Sequence, residues 1–285
     1  MQSKNDVVQE QNFLNTLGTI ATAYQEISVM KMKETRSTIE QARGFVAQLK
    51  EVFDSLRFSY PIIKKREDKL KIKESAKVLI TANSRFHGDI LRRIFNTFIK
   101  DHDVKGDIFV VGRIGKDFIQ EYNSELEYQF FEIPDNNIRV ADLKPLLYEL
   151  IQYKTVHVYY AQFKTVIEQD IIATEIPSIY KLLEDEEQEK QSEKEKGTIP
   201  MYLFEPSGEE IAEFLNDNVT VSLMRQTLYE TQLARYASRI KAMDALLSNI
   251  EEEMKNLKRE KLKIQRDLNN KKQQERLSGI YLWGK

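Results

Sequence analysis

The chain has 285 residues, of which 31% are charged and none is cysteine, and its formal net charge is -2. This charge balance gives no overall field that would attract nucleic acid, and the lack of cysteine excludes disulfides, thiolate metal sites and cysteine nucleophiles. The sequence contains no apolar run near the roughly 18 residues of a membrane span, and its first residues lack the basic-then-apolar order of a signal peptide. We therefore expect the chain to stay in the compartment where it is made.

The prolines divide the chain, because all six lie between residues 61 and 206. Proline interrupts helices, so the two ends are free to form long ones. We predict a helix over residues 1–60, an α/β domain over residues 61–206 and a second long helix over residues 207–285.

Residues 6–58 favour a helix with two apolar stripes. The first stripe consists of Phe13, Leu17, Ile20, Tyr24 and Ile27, and the second of Ile39, Ala42, Val46, Leu49, Phe53 and Leu56. The stripes do not share one heptad register, which predicts a shifted seam or a bend near residues 31–33. Gly18 and Gly44 are unfavourable in a helix interior, and close contact between helices is one reason to tolerate them.

The middle of the chain alternates between strand-like and helix-like segments, which is typical of a small α/β domain. The predicted strands cover residues 77–82, 107–112, 128–133, 155–160 and 169–176, and the predicted helices cover residues 90–99, 117–122 and 140–153. The last two strands are predicted to pair, and Tyr159 and Tyr160 should fill the faces of the sheet. Residues 184–197 contain no apolar residue, so we expect a disordered or solvated loop there.

From Ser207 to about Leu277 the sequence predicts one helix of about 70 residues, about 105 Å at 1.5 Å per residue. It begins with a capping box, in which the Ser207 hydroxyl accepts a hydrogen bond from an amide three residues on and Glu210 reaches back. Apolar residues then recur at three- and four-residue steps, at Leu233, Ala237, Ile240, Met243, Leu247, Ile250, Met254, Leu257, Ile264 and Leu268. Such a narrow seam requires another helix, so we predict an antiparallel coiled coil of the two terminal helices.

The segment from Val110 to Asp117 resembles a phosphate-binding loop, because it leaves a predicted strand and enters a helix. A Walker loop needs glycine at position 110 and serine or threonine at position 117, and this chain has neither. We favour a structural turn. An enzyme with a nucleotide-binding domain stays an alternative that would require binding at Gly112–Lys116.

The histidines give no metal-ligand pattern, since His87, His102 and His157 lie on different predicted elements. No Ser-His-Asp arrangement can be argued from the sequence. We expect no catalytic residue, no cofactor and no metal.

Residues 255–276 of the last helix carry nine basic and three acidic side chains, a surplus of six positive charges. One interpretation is a solvated coiled-coil face. The other is a surface that holds an acidic partner or nucleic acid. Beyond it, residues 280–283 form an apolar end that should insert into a partner.

Four segments spread over nearly the whole chain carry a family resemblance. They are Ile20-Ala21-Thr22-Ala23-Tyr24 with Ile27 and Lys31-Met32-Lys33, Val110 to Phe118, Tyr202-Leu203-Phe204-Glu205-Pro206-Ser207, and Ala237 to Ala245 with Asn249. In this order they resemble the gamma subunit of F-type ATP synthases, and the chain is similar to a divergent member of that family. The second segment matches a turn of the family, which agrees with a structural role for the phosphate-loop pattern.

The resemblance implies a central-stalk rotor subunit. Such a subunit couples proton- or sodium-driven rotation of the membrane c-ring to ATP synthesis in a ring of alternating alpha and beta subunits, and itself catalyses nothing. The implied partners are the alpha, beta and epsilon subunits and the c-ring, without nucleic acid. The implied location is the cytoplasmic side of a bacterial plasma membrane, reached only through the complex. A gamma-like shaft of a specialised ATPase and a nonrotary coiled-coil scaffold are the alternatives.

The resemblance also suggests partner contacts. An acidic loop of the beta subunits would meet the basic residues Lys255, Lys258, Arg259 and Lys261. A bearing at the far end of the ring would receive the apolar end, which consists of Ile280, Tyr281, Leu282 and Trp283. Polar contacts in the torque region or on the c-ring side would be made by Lys31, Lys33 and Arg239.

The chain departs from the family at three places. After the first strand the family has Arg-Gly-Leu-Cys-Gly-Gly, whereas residues 84–89 are Ser-Arg-Phe-His-Gly-Asp. Arg235 stands where the family usually has glutamate, and residues 269–276 replace small and apolar residues with polar ones. These differences suggest that the residues by which this chain contacts its partner subunits have changed together with those subunits.

Overall fold

A computed structural model describes residues 4–59, 73–101, 106–177, 205 and 207–283. The chain forms two compact units: unit 1 contains Met1–Val29 and Arg239–Lys285, and unit 2 contains Met30–Ser238. Two long helices, α1 (Lys4–Ser59) and α5 (Gly208–Trp283), contribute to both units. Within the described ranges, none of the helices combines the length and apolar character that crossing a membrane requires.

These helix bounds match the predicted terminal helices closely. The division into three parts by residue number stays a prediction. The charged run 184–197 lies outside the described residues.

Unit 2 is built on a five-stranded sheet of order β3-β2-β1-β4-β5. The strands are β1 (Lys73–Ile80), β2 (Asp107–Val111), β3 (Gln129–Phe131), β4 (Tyr153–Phe163) and β5 (Gln169–Pro177), and the helices between the first four are α2 (Ile90–Lys100), α3 (Arg113–Tyr122) and α4 (Val140–Leu150). All pairs are parallel except β4 with β5. The predicted strands, helices and strand pair are confirmed, in a Rossmann-like order.

The two faces of this sheet bury separate apolar clusters. Because side chains alternate along a strand, Val78 and Ile80 of β1 face one cluster and Leu79 faces the other. Helix α4 covers the first face together with segments of α1 and α5, and helices α2 and α3 cover the second. Tyr159 and Tyr160 are buried on opposite faces, as predicted.

In unit 1 the segments of α1 and α5 pair in antiparallel orientation. The Lys261 Nζ donates to Gln11 Oε1 at 3.3 Å, and the Arg239 guanidinium lies over the Tyr24 ring. Residue numbers therefore rise along α1 as they fall along α5. The predicted antiparallel coiled coil of the terminal helices is confirmed.

The predicted seam of α5 is confirmed at its first nine positions, which are buried or half-buried. Its last position, Leu268, is exposed, so the prediction is wrong there. Lys261 faces Gln11, and Leu268 therefore lies near the level at which the described part of α1 begins, at Lys4. Residues 265–278 are all exposed.

The predicted first stripe of α1 is wrong except at Leu17, which is half-buried. Its residues Phe13, Ile20, Tyr24 and Ile27 are 37–62% exposed. The packed positions lie one residue later in each turn and keep one heptad register along the helix: Val7, Gln11, Leu14, Gly18, Ala21, Gln25, Ser28, Met32, Thr35, Ile39, Ala42, Val46 and Leu49. The seam does not shift at residues 31–33, and the second stripe is confirmed through Leu49.

The first half of the α1 seam is hidden from sequence inspection because small and polar residues occupy it. Gly18, Ala21 and Ser28 are packed, and the Ser28 hydroxyl donates to the Tyr24 carbonyl at 2.6 Å, so its burial leaves no unpaired donor. Selecting the largest apolar residues therefore identifies the wrong face. We call Phe13, Ile20, Tyr24 and Ile27 the outer stripe.

Candidate functional site

Helix α5 crosses the sheet of unit 2 at the carboxyl ends of β1 and β4. Residues 227–238 are all buried there. Ala234 packs in one cluster with Ala82, after β1, and Ala161, near the end of β4. The strand order reverses between these two strands, and ligands of doubly wound folds bind in the crevice at that point. Helix α5 fills this crevice.

A buried ion pair joins α5 to the sheet at this crossing. The Arg235 Nη1 donates to Asp135 Oδ1 and to the Thr81 carbonyl, each at 2.8 Å. The side chains of Arg235 and Asp135 are 6% and 17% exposed. We call this contact the Arg235–Asp135 anchor. It links the long helix to the loops that follow β1 and β3.

The loop after β1 holds the Asp135 carboxylate in place. The amides of Asn83 and Ser84 donate to its oxygens at 3.0 and 2.8 Å. Burial alone would raise the pKa of the Asp135 carboxyl. The Arg235 charge and the hydrogen bonds from Ser84 and Asn83 outweigh this effect, so the pKa lies below its ordinary value. The anchor therefore joins two charged groups at neutral pH.

Neighbouring polar contacts support the same crossing. The Ser238 hydroxyl donates to the His87 carbonyl at 2.7 Å, and Gln232 Nε2 donates to the Asp135 carbonyl at 2.6 Å. The His87 Nδ1 lies 3.5 Å from the Arg235 carbonyl. The structure thus brings residues 84–89 and Arg235 into contact, two of the places at which the resemblance implies a departure from the family.

A second ion pair in unit 2 joins α5 to α1. The Arg43 Nη2 lies 2.9 Å from Glu230 Oε1, and Gln226 Nε2 donates to the same oxygen at 3.1 Å. Glu230 is buried, whereas Arg43 is half exposed. Positions 230 and 235 lie about 140° apart around a helix. Helix α5 thus presents a buried anion toward α1 and a buried cation toward the sheet.

The turn that resembles a phosphate loop uses its amides internally. The amides of residues 113–115 donate in order to Asn83 Oδ1, the Ala82 carbonyl and Thr81 Oγ1, at 3.0, 3.0 and 2.9 Å. These are the amides that would hold a phosphate at a helix start. Gly112 has a φ of 95°, and a Cβ there would lie 2.7 Å from Thr81 Oγ1. The interpretation as a structural turn is confirmed.

The predicted basic contacts on α5 form an outward face in unit 1. Lys255, Lys258 and Arg259 are exposed, as are Lys263 and Arg266. At 100° per residue, Lys255, Arg259, Lys263 and Arg266 lie within about 80° of one another, opposite the seam. We call these four residues the basic face.

Other predicted contacts in unit 1 are engaged within the chain. Lys261 is half-buried and donates to Gln11. Arg239 is 8% exposed, and its guanidinium lies 5.8 Å from the centroid of the Tyr24 ring. Both side chains therefore stabilise the helix pair. The side chains of residues 280–283 lie outside the part of the chain that the structure describes.

Lys31 and Lys33 lie on α1 in unit 2. Lys33 is exposed, whereas Lys31 Nζ donates to Glu34 Oε2 at 2.9 Å. This hydrogen bond and the Glu34 charge raise the pKa of Lys31. Lys33 is thus the more accessible of the two cations.

Sequence reasoning missed Asp135 and Glu230 and noted Arg235 only as a departure from the family. One signal was available. Between residues 226 and 238 only Glu230 and Arg235 are charged, in a chain that is 31% charged. A helical stretch this poor in charge is buried on more than one side.

Solved structures share this fold. A chain of the Euglena gracilis mitochondrial ATP synthase superposes with a TM-score of 0.59 at 12% identity, covering 92% of this chain and 95% of that one. A chain of the Tetrahymena thermophila mitochondrial ATP synthase central stalk and c-ring superposes with a TM-score of 0.55 at 18% identity, covering 79% and 98%.

Sequence relatives cover most of the chain. An ATP synthase gamma chain of Brevibacillus brevis is 25% identical over 247 residues, 81% of each protein. That of Desulfitobacterium hafniense is 25% identical over 272 residues, 90% of each. The family model described as ATP synthase matches residues 6–267. Since this match covers far more than half of the sequence, the chain belongs to that ATP synthase family.

Proposed function

We propose that the chain is the central-stalk rotor (gamma) subunit of an F-type ATP synthase. The observation that carries this proposal is the family match over residues 6–267, in a chain whose terminal helices pair antiparallel in unit 1. In this role the chain catalyses nothing. Its rotation presents different faces to the catalytic sites in turn, and these differential contacts bias the conformation of each site.

The partners in this proposal are the alpha and beta subunits of the catalytic ring, the epsilon subunit and the c-ring. The solved relatives belong to assemblies named for F1, the central stalk and the c-ring, which supports the proposal. The chain would then attach to the cytoplasmic side of a bacterial plasma membrane through the complex alone.

We assign the basic face, with Lys258 beside it, to an acidic loop of the beta subunits. Its side chains point away from the seam and are exposed, so a surrounding ring can reach them. The outer stripe of α1 supplies an apolar surface for the same ring. Residues 280–283 stay assigned to an apolar bearing, and Lys33 with Lys31 to the c-ring side.

A charge reversal on the basic face tests this assignment in the reconstituted complex. Three exposed pairs at roughly 0.5 kcal/mol each amount to about a tenfold weaker contact. We expect the triple variant Lys255→Glu, Lys258→Glu, Arg259→Glu to pump fewer protons per ATP hydrolysed. The matched control is Lys271→Glu, Lys272→Glu, Arg276→Glu, which changes the charge equally elsewhere on α5. Equal coupling in the two variants would overturn the assignment.

Direct observation of rotation tests the proposed function itself. The chain has no cysteine, so a cysteine introduced at the exposed Tyr148 of α4 gives one attachment point for a bead. With the catalytic ring immobilised, we expect stepwise rotation of the bead when ATP is added. A chain that self-associates and does not assemble with the ring is a scaffold instead.

A further inference from the structure

We propose that the Arg235–Asp135 anchor fixes the register of α5 on the α/β domain, so that torque applied to the domain reaches the helix without slip. This inference rests on the proposed rotor function and deepens it. Helix α5 runs without interruption from Gly208 to Trp283, and its residues up to Ser238 belong to unit 2.

Apolar packing defines such a register weakly. Around the crossing, α5 contributes Met224, Leu228 and Leu233 to the first cluster of the sheet. Aliphatic side chains of similar volume replace one another at small cost, so a helix that turns or slides exchanges one such contact for another. To hold the helix against a sideways load, a contact must be one that no equivalent contact replaces when the helix moves.

The anchor has that property because its donor and its acceptor are both held. A single nitrogen of Arg235 bonds Asp135 and the Thr81 carbonyl, on two different loops. The Asp135 carboxylate is in turn held by the amides of Asn83 and Ser84. Any displacement of α5 separates the buried Arg235 guanidinium from both of its acceptors and the buried Asp135 carboxylate from its counter-charge, which is strongly unfavourable.

The Arg43–Glu230 pair makes the rotational setting of α5 unique. Its anion lies about 140° around the helix from Arg235. A rotation by that angle would turn Glu230 toward Asp135, and two carboxylates would then face each other in a buried site. Both ion pairs form together in one setting only.

Stability alone does not account for this arrangement. Buried ion pairs are often no more stabilising than apolar residues of the same volume, and their best-attested role is to specify register. Arg235 and Asp135 are therefore positioning residues.

The test compares charge removal with a matched control in the assembled complex. The double variant Arg235→Gln, Asp135→Asn removes both charges but keeps a donor and an acceptor. The control is the double variant Arg113→Gln, Glu132→Gln, because these side chains pair at 2.8 Å near the same edge of the sheet, where both are exposed. The variant Asp135→Glu, made in the parent chain, keeps the carboxylate and should therefore keep the register.

The readout is the distance distribution between spin labels at Tyr148→Cys on α4 and Phe214→Cys on α5, two exposed positions in unit 2. We expect the double variant to widen this distribution about twofold at an unchanged melting temperature, and to pump fewer protons per ATP hydrolysed. The control and Asp135→Glu should keep the width of the parent.

Three results would overturn the inference. They are a parental width and coupling in the double variant, an equal widening in the control, and loss of folding in the double variant, which would show that the pair holds the fold and not the register. Failure of the rotor proposal looks different, because the parent chain would then not rotate. The label distances of the isolated chain would still test the anchor.

Discussion

Three glycines show how differently one residue type is used in this chain. Gly112 has a φ of 95° and lies against Thr81, so only glycine fits there. Gly18 and Gly44 lie inside α1 instead. A Cβ at Gly18 would meet Ile250 Cγ2 at 3.9 Å, an ordinary contact, and one at Gly44 would meet no described atom within 4 Å. Helix packing therefore does not require glycine at either position.

We predict that Gly18→Ala and Gly44→Ala each raise the free energy of unfolding by about 1 kcal/mol, because alanine loses less backbone entropy in a helix. Gly112→Ala should lower it by about 1–3 kcal/mol, because a strained φ is added to a steric clash. Urea unfolding of the three variants measures both effects. A less stable Gly18→Ala variant would mean that the helices approach each other more closely than the structure shows.

Residues whose role is local could be predicted, and those whose role depends on distant partners could not. Ser207 accepts a hydrogen bond from the Glu210 amide at 3.2 Å, as the capping pattern predicts, because the two residues are three apart. Asp135 and Arg235 are 100 residues apart. Only the fold brings them together, so their pairing leaves no pattern in the sequence.

At the scale of elements, periodicity located the helices and strands but not always the packed face. Strands β1, β2 and β4 were found because buried parallel strands are continuous apolar runs. The seam of α5 was found because large apolar residues mark it. The seam of α1 was missed in its first half, since the exposed outer stripe is more apolar than the packed face.

Substitutions at two neighbouring positions distinguish the packed face of α1 that the sequence predicts from the one in the structure. We predict that Ala21→Gln lowers the free energy of unfolding by about 1–3 kcal/mol, because it forces a long side chain into the seam. Ile20→Gln, one residue earlier on the outer stripe, should change it by less than about 0.5 kcal/mol. Thermal unfolding of both variants gives the answer. A larger loss of stability in Ile20→Gln than in Ala21→Gln would support the stripe that is predicted from the sequence.

At the scale of the whole molecule, the fold class and the function followed from the sequence, but the use of the Rossmann-like domain did not. Four motifs in order and two long terminal helices were enough to indicate the family. The strand order alone would indicate a nucleotide site. Only the position of α5 shows that protein groups occupy the crevice.

We therefore predict that ATP and NAD do not bind the isolated chain up to about 1 mM, a dissociation constant that corresponds to about -4 kcal/mol. The physical reason is that α5 fills the crevice and the amides of residues 113–115 are already bonded. Titration calorimetry measures this directly. Saturable binding that is lost in Lys116→Ala would reinstate the nucleotide-binding alternative.

The burial of residues 227–238 also determines how the protein can be made. These residues complete the core of a sheet whose strands all precede Pro177. During synthesis the strands leave the ribosome before residues 227–238, so until those residues emerge the nascent domain lacks the part of α5 that completes its first face and fills its crevice. Such intermediates are prone to aggregation. Closing the core of unit 2 is thus a step of folding that must follow the synthesis of residues 227–238.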